Sequence, residues 1–152
     1  MSGSNRGFWK VVVPLVVGGI LLVVLVLVFR PVARTGAVAY AQANLQRAAD
    51  AAEHLATAGS LEDADRETLA VKGGVDDLLL IDPDQSSNDP EVVSVLATPS
   101  AWTGSARAET GECFWIRVAA RAGGSFGTVY GTGTDCSADE ASAAPPGAWL
   151  EP

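Results

Sequence analysis

Residues 113–136, CFWIRVAARAGGSFGTVYGTGTDC, carry the pattern on which the fold turns. The side chains alternate: Phe114, Ile116 and Val118 point one way, and Cys113, Trp115 and Arg117 the other, the period-two signature of a half-buried strand. Arg121-Ala-Gly-Gly-Ser125 supplies a hairpin turn, and a second β pattern follows over residues 126–132. Cys113 opens the first of these strands and Cys136 follows the second. With two cysteines in the chain, the pair fits one disulfide in an oxidising compartment, the alternative being two reduced core thiols. In the chain-entropy account, closing this loop is worth roughly 3–4 kcal/mol.

Working outward, residues 92–97 and 102–108 repeat the period-two pattern, with Thr110-Gly111-Glu112 as a further turn. The four segments predict an antiparallel meander over residues 92–136. Upstream, residues 59–91 read as a short helix over 61–70, introduced by Ser60 and Asp63, and then a connecting loop with at most one short strand at 78–81. Before them lies an alanine-rich helix. Val38, Ala41, Leu45, Ala48, Ala52 and Leu55 form one continuous stripe, and Gln42, Gln46, Asp50 and Glu53 occupy the other side. It ends at Ala58-Gly59, where glycine suits a helix terminus. Residues 137–152, SADEASAAPPGAWLEP, show little pattern beyond Pro145-Pro146 and Trp149-Leu150, a pair expected to fold back onto the sheet.

The N-terminal segment has a different composition. Residues 11–29, VVVPLVVGGILLVVLVLVF, contain no charged or polar side chain. At about 1.5 Å per residue the run measures roughly 28 Å as a helix, close to the ~30 Å of a bilayer core. This raises the mean hydropathy of the 152-residue chain to +0.22. The segment predicts a transmembrane helix after a short cytoplasmic leader (1–10), continuing through Pro31 into the amphipathic helix (30–58). Phe8, Trp9, Lys10 and Arg30 flank the span as interfacial anchors do. A cleaved secretory signal is the competing reading, with Ala37-Val38-Ala39 and Ala39-Tyr40-Ala41 as cleavage patterns. All 18 acidic residues lie beyond Arg34, so the formal charge of −8 divides into +4 for residues 1–34 and −12 for the rest. That acidity argues against nucleic acid as a partner. The expected placement is the cell membrane, single-pass, with the N-terminus cytoplasmic and the domain extracytoplasmic.

This order, a basic leader, a long N-terminal helix with an apolar first half, a variable loop, a small antiparallel sheet and a late cysteine pair, resembles the type IV pilins and pseudopilins. The segments TGECFWIRV and GTVYGTGTDC look like the sheet-and-cysteine region of such proteins from high-GC bacteria. The resemblance implies an α+β fold, with a transmembrane-to-amphipathic helix followed by a four-stranded antiparallel sheet. It also implies leader cleavage between Gly7 and Phe8, and partners among other pilin-like subunits or envelope proteins. Two positions depart from the family pattern. Val12 stands at the fifth mature position, where the family carries Glu, and Lys10 stands where a pilin is apolar. The functional expectation is a minor pilin-like component of a filament or secretion apparatus, the alternative a permanently tethered binding module that does not polymerise.

Chemistry-bearing residues are sparse. His54, the single histidine, sits on the polar side of the helix with no second histidine for a zinc set and no nucleophile motif for a triad, so no enzyme is expected. The glycines of residues 123–133 precede no helix and suit turns better than a phosphate cradle. Asp82, Asp84, Ser86 and Asn88 space oxygen side chains as a calcium loop does, without its glycine and terminal glutamate. This leaves calcium as the one cofactor to weigh. Trp115 and Arg117 share a strand face and are a candidate partner surface.

Overall fold

The structure, a computed structural model, describes the backbone of residues 5–149 and the side chains of residues 16–19, 21 and 35–149. It divides into two units, Met1–Thr35 and Gly36–Pro152, and helix α1 (Asn5–Ala56) contributes to both. In the first unit, Val16, Val17 and Leu21 are exposed.

Among the described residues, no helix is long and apolar enough to cross a membrane. This overturns the expected transmembrane helix, the single-pass anchor and the placement in the cell membrane. The expected leader (1–10) and most of the apolar run (11–15, 20 and 22–29) lie outside the residues whose side chains are described. From residue 35 onward, α1 interleaves buried alanines with Gln42, Gln46, Arg47, Asp50 and Glu53, a composition suited to lying on a sheet and costly in hydrocarbon.

The second unit is built on a five-stranded sheet in the order β1-β2-β3-β4-β5. The strands are β1 (Leu79–Ile81), β2 (Val92–Ala97), β3 (Ala101–Arg107), β4 (Cys113–Ala120) and β5 (Phe126–Gly133). β2 to β5 form an antiparallel meander, but β1 pairs with β2 in parallel, Leu79 opposite Val92 and Ile81 opposite Ser94. The sheet is therefore mixed, which corrects the expected four-stranded antiparallel one. The reason is local: three residues are too few to display a strand period, and β1 takes its place only because residues 82–91 fold back between it and β2. Gly123 and Gly124, both with positive φ (88° and 77°), turn the chain from β4 into β5, a conformation a side chain would strain.

One face of the sheet packs on α1. Ala41, Leu45, Ala48 and Ala52 of the helix are fully buried against Val93, Val95, Trp102, Ala106, Phe114, Ile116 and Val118. Three alanines on the helix, Ala41, Ala48 and Ala52, make room for Trp102 and Phe114 opposite. Polar contacts fix the helix at its edges. Asn44 Nδ2 donates to Pro90 O (2.9 Å), and Thr128 Oγ1 donates to Glu53 (3.2 Å). Arg47 makes a two-pronged pair with Asp77 (2.6 and 2.9 Å).

The helical connection after α1 differs from a single helix over 61–70. A short 3-10 turn (Leu61–Asp63) precedes helix α2 (Arg66–Lys72). The Asp65 side chain accepts from Thr68 N (2.7 Å) and so starts α2 afresh. Helix α3 (Ala138–Ala143), capped by Ser137, lies in the segment whose sequence shows little pattern.

Candidate functional site

The opposite face of the sheet carries the side chains singled out from the sequence. Antiparallel register places Ser105 beside Trp115 and Thr103 beside Arg117. Cys113, Trp115, Ser94, Thr103 and Ser105 are buried there, because α3 and the segments leading to and from it cover them. Cys113 and Cys136 form a disulfide. It ties the start of β4 to Cys136, two residues before α3, so the covering layer is covalently attached to the sheet.

Hydrogen bonds join two segments distant in sequence within this layer. Ser94 Oγ donates to Asp82 O (3.0 Å) and accepts from Ala138 N (2.9 Å). Ser87 N donates to Cys136 O (3.0 Å), Cys136 N to Ser86 Oγ (3.3 Å) and Asp139 N to Pro83 O (3.0 Å). Ser87 Oγ accepts from Arg107 N (3.0 Å) and donates to Val92 O (2.6 Å). Residues 82–92 and 136–139 thus form one cross-linked polar layer over the ends of β2 and β3.

The candidate calcium residues take part in this arrangement. Asp82 is paired with Arg66 at 3.1 Å, Ser86 accepts a backbone N–H, and Asp84 and Asn88 are exposed. Among the described residues, no group of three or more His, Cys, Asp or Glu is placed to hold a metal ion. The serines of DPDQSSNDPE act mainly as fasteners between strands.

The structure brings Trp115 and Arg117, the candidate partner surface, together beneath a cover. Trp115 is 1% exposed, and its indole donates to Thr132 O (3.3 Å). The Arg117 guanidinium lies over that ring, 5.1 Å from its centroid. Arg117 Nη2 donates to the carbonyls of Ala141 and Ala144. A cation on these two carbonyls caps the C-terminal end of α3, where helix carbonyls lack intrahelical partners. Burial is dictated by the cover: alternation places both residues on one face, and α3 packs on that face. His54 is exposed on α1. Gly7 and Phe8 lie outside the residues whose side chains are described.

The chain then leaves α3 through Pro145 and Pro146 and returns to the far edge of the sheet. Gly147 N donates to Tyr130 O (2.8 Å), forming an isolated antiparallel bridge with β5. Trp149 follows, its ring 4.6 Å from Tyr130 and 6.5 Å from Phe114, both edge-on. Its indole N–H donates to Trp115 O (3.0 Å). This C-terminal clasp closes the β5 edge of the sheet, and Trp149 is its trace in the sequence. The buried Trp115 indole depends on a glycine beside it. A Cβ at Gly131 would run into the Trp115 indole, against Cζ2, Cε2 and Nε1.

No protein-family model matches the chain, and no curated protein or solved structure matches it.

Proposed function

We propose that the protein is a structural subunit, a pilin-like component of a filament or secretion apparatus, which works by assembly and not by catalysis. The observation that carries this reading is the division of labour along α1. Residues 41–56 of the helix form the inner wall of the α+β unit. In the first unit, the described apolar residues Val16, Val17 and Leu21 are 52–60% exposed. Apolar side chains repeated along one helix gain free energy when covered, and the equivalent helix of another subunit offers matching cover. The rigid construction of the second unit, a disulfide-closed sheet clamped on both faces, suits a part that is displayed and loaded. Such a disulfide also persists best in an oxidising environment.

A second reading is a non-polymerising binding module. It is favoured by Leu79, 61% exposed on the edge strand β1, and by Val71 of α2, 81% exposed. Intact mass measurement of the protein from its native source, combined with sedimentation, separates the two. Assembly predicts a chain beginning at Phe8 that pellets with filaments. A full-length chain that sediments as a monomer at all concentrations overturns the assembly reading and leaves the module.

A further inference from the structure

The geometry points to the C-terminal clasp as an exchangeable contact: the Gly147–Trp149 segment of one copy occupies the β5 edge and the Phe114–Tyr130 slot of a second copy of this chain. The acceptor is fully built within the sheet. The Tyr130 and Trp115 carbonyls accept from Gly147 N and Trp149 Nε1, at 2.8 and 3.0 Å. Two aromatic rings receive the indole edge-on. The donor, in contrast, is held through two residues, Gly147 and Trp149. Residues 145–148 are exposed and Trp149 is half-buried. The clasp meets β5 in a single bridge.

The hinge favours exchange. Pro145 and Pro146 have no N–H, so the chain makes no backbone donation between Ala144 and Gly147. Consecutive prolines also hold an extended, stiff path. A stiff spacer loses little freedom whichever acceptor it reaches. The first end of the spacer is fixed, because Arg117 holds the Ala144 carbonyl. When the clasp lifts, it uncovers an edge strand with an unpaired carbonyl beside an apolar slot, a surface that templates pairing. The same segment of another copy matches this surface as the chain's own does, and exchange of identical elements is a low-cost route to association.

The test places a photocrosslinker in the full chain at the exposed Ala148 (Ala148→p-benzoylphenylalanine), leaving Trp149 in place. Equal amounts of ordinary and 15N-labelled protein are mixed, incubated and irradiated. In parallel, the two are unfolded together without reductant and refolded before irradiation. Crosslinks from residue 148 to the β5 region are then sorted by mass. Exchange predicts mixed-isotope crosslinks, approaching one half of the total after co-refolding, and fewer of them when Pro145 and Pro146 are both changed to Gly. Crosslinks of like isotope only, in both protocols, overturn the proposal. Assembly through α1 alone also gives like-isotope clasp crosslinks within oligomers, so failure of one reading is distinguishable from failure of the other.

Discussion

Replacing Gly131 by alanine tests the packing of the covered face. Gly131 lies in a strand and its φ is not positive, so backbone conformation alone permits a side chain. Reduced freedom of the unfolded chain then favours alanine by about 0.4–1 kcal/mol. Opposing this, the new Cβ meets three atoms of the Trp115 indole, with Nε1 at 2.9 Å and two carbons closer still. Trp115 is 1% exposed, with Arg117 over its ring and Gly131 beneath, so the indole has no free direction in which to retreat. Overpacking of this kind costs about 1–3 kcal/mol, and a displaced indole also forfeits its bond to Thr132 O, another ~1 kcal/mol. The clash wins, and Gly131→Ala is destabilising by about 1–3 kcal/mol. For a domain of this size each kcal/mol lowers Tm by about 4–8 °C. The assay is urea unfolding followed by circular dichroism in a double-mutant cycle with Trp115→Phe. A phenyl ring lacks the atoms that the Cβ meets. Gly131→Ala should therefore cost close to nothing in the Trp115→Phe background, giving a coupling of at least about 1 kcal/mol. Equal costs in both backgrounds would refute the reasoning.

Reduction of Cys113–Cys136 should destabilise the second unit by roughly 3–4 kcal/mol, seen as a large fall in the urea midpoint on adding dithiothreitol; an unchanged midpoint removes the disulfide as the fastening of the α3 layer. Arg117→Met keeps the stem over Trp115 but deprives two carbonyls of their donor, at a cost of about 1–3 kcal/mol. Hydrogen exchange should show the amides of α3 losing protection before those of β3 and β4. The N–H of Thr68 holds the Asp65 carboxyl below its usual range, so its stabilisation is present above the unfolded value of about 3.9 and disappears as pH falls through the lower folded value. Asp65→Asn retains a good cap and should flatten this acid limb of a stability–pH curve. An identical acid limb in wild type and Asp65→Asn would show that the cap charge is not what titrates.

What could be read in the sequence followed the strength of the periodicity. Residues 113–136 gave the hairpin and the cysteine pair because eight-residue strands display several cycles of alternation, and α1 from Val38 to Leu55 repeats its apolar stripe over several turns. β1 has three residues, below the length at which any period shows, and its parallel pairing arises from the return of a loop. α3 was missed because six residues of Ala, Ser, Asp and Glu (138–143) carry no apolar face wide enough to see. The helix is held by a distant disulfide, by Ser94 and by Arg117. The cover over Trp115 and Arg117 is illegible for the same reason: alternation reveals which residues share a face, but not whether a later segment returns to cover it.

The two faces of the sheet are stabilised by different physics, and this bears on how the unit bears load. Against α1 the contact is apolar and continuous, from Ala41 to Ala56, and its free energy scales with area removed from water. On the other face the buried strand residues include Ser94, Thr103 and Ser105, which gain little from burial and must find partners. Ser105 Oγ donates to Phe114 O of β4 (3.2 Å), whereas Ser94 is satisfied by backbone groups of residues 82 and 138, and the disulfide keeps residues 136–139 nearby. Loss of one fastener on that side leaves buried polar groups without partners, so the α3 layer should come away as a whole and not erode residue by residue. The clasp lies outside that cooperative layer, attached by one backbone bond and one indole, and is therefore the part of the unit best able to move while both faces of the sheet remain closed.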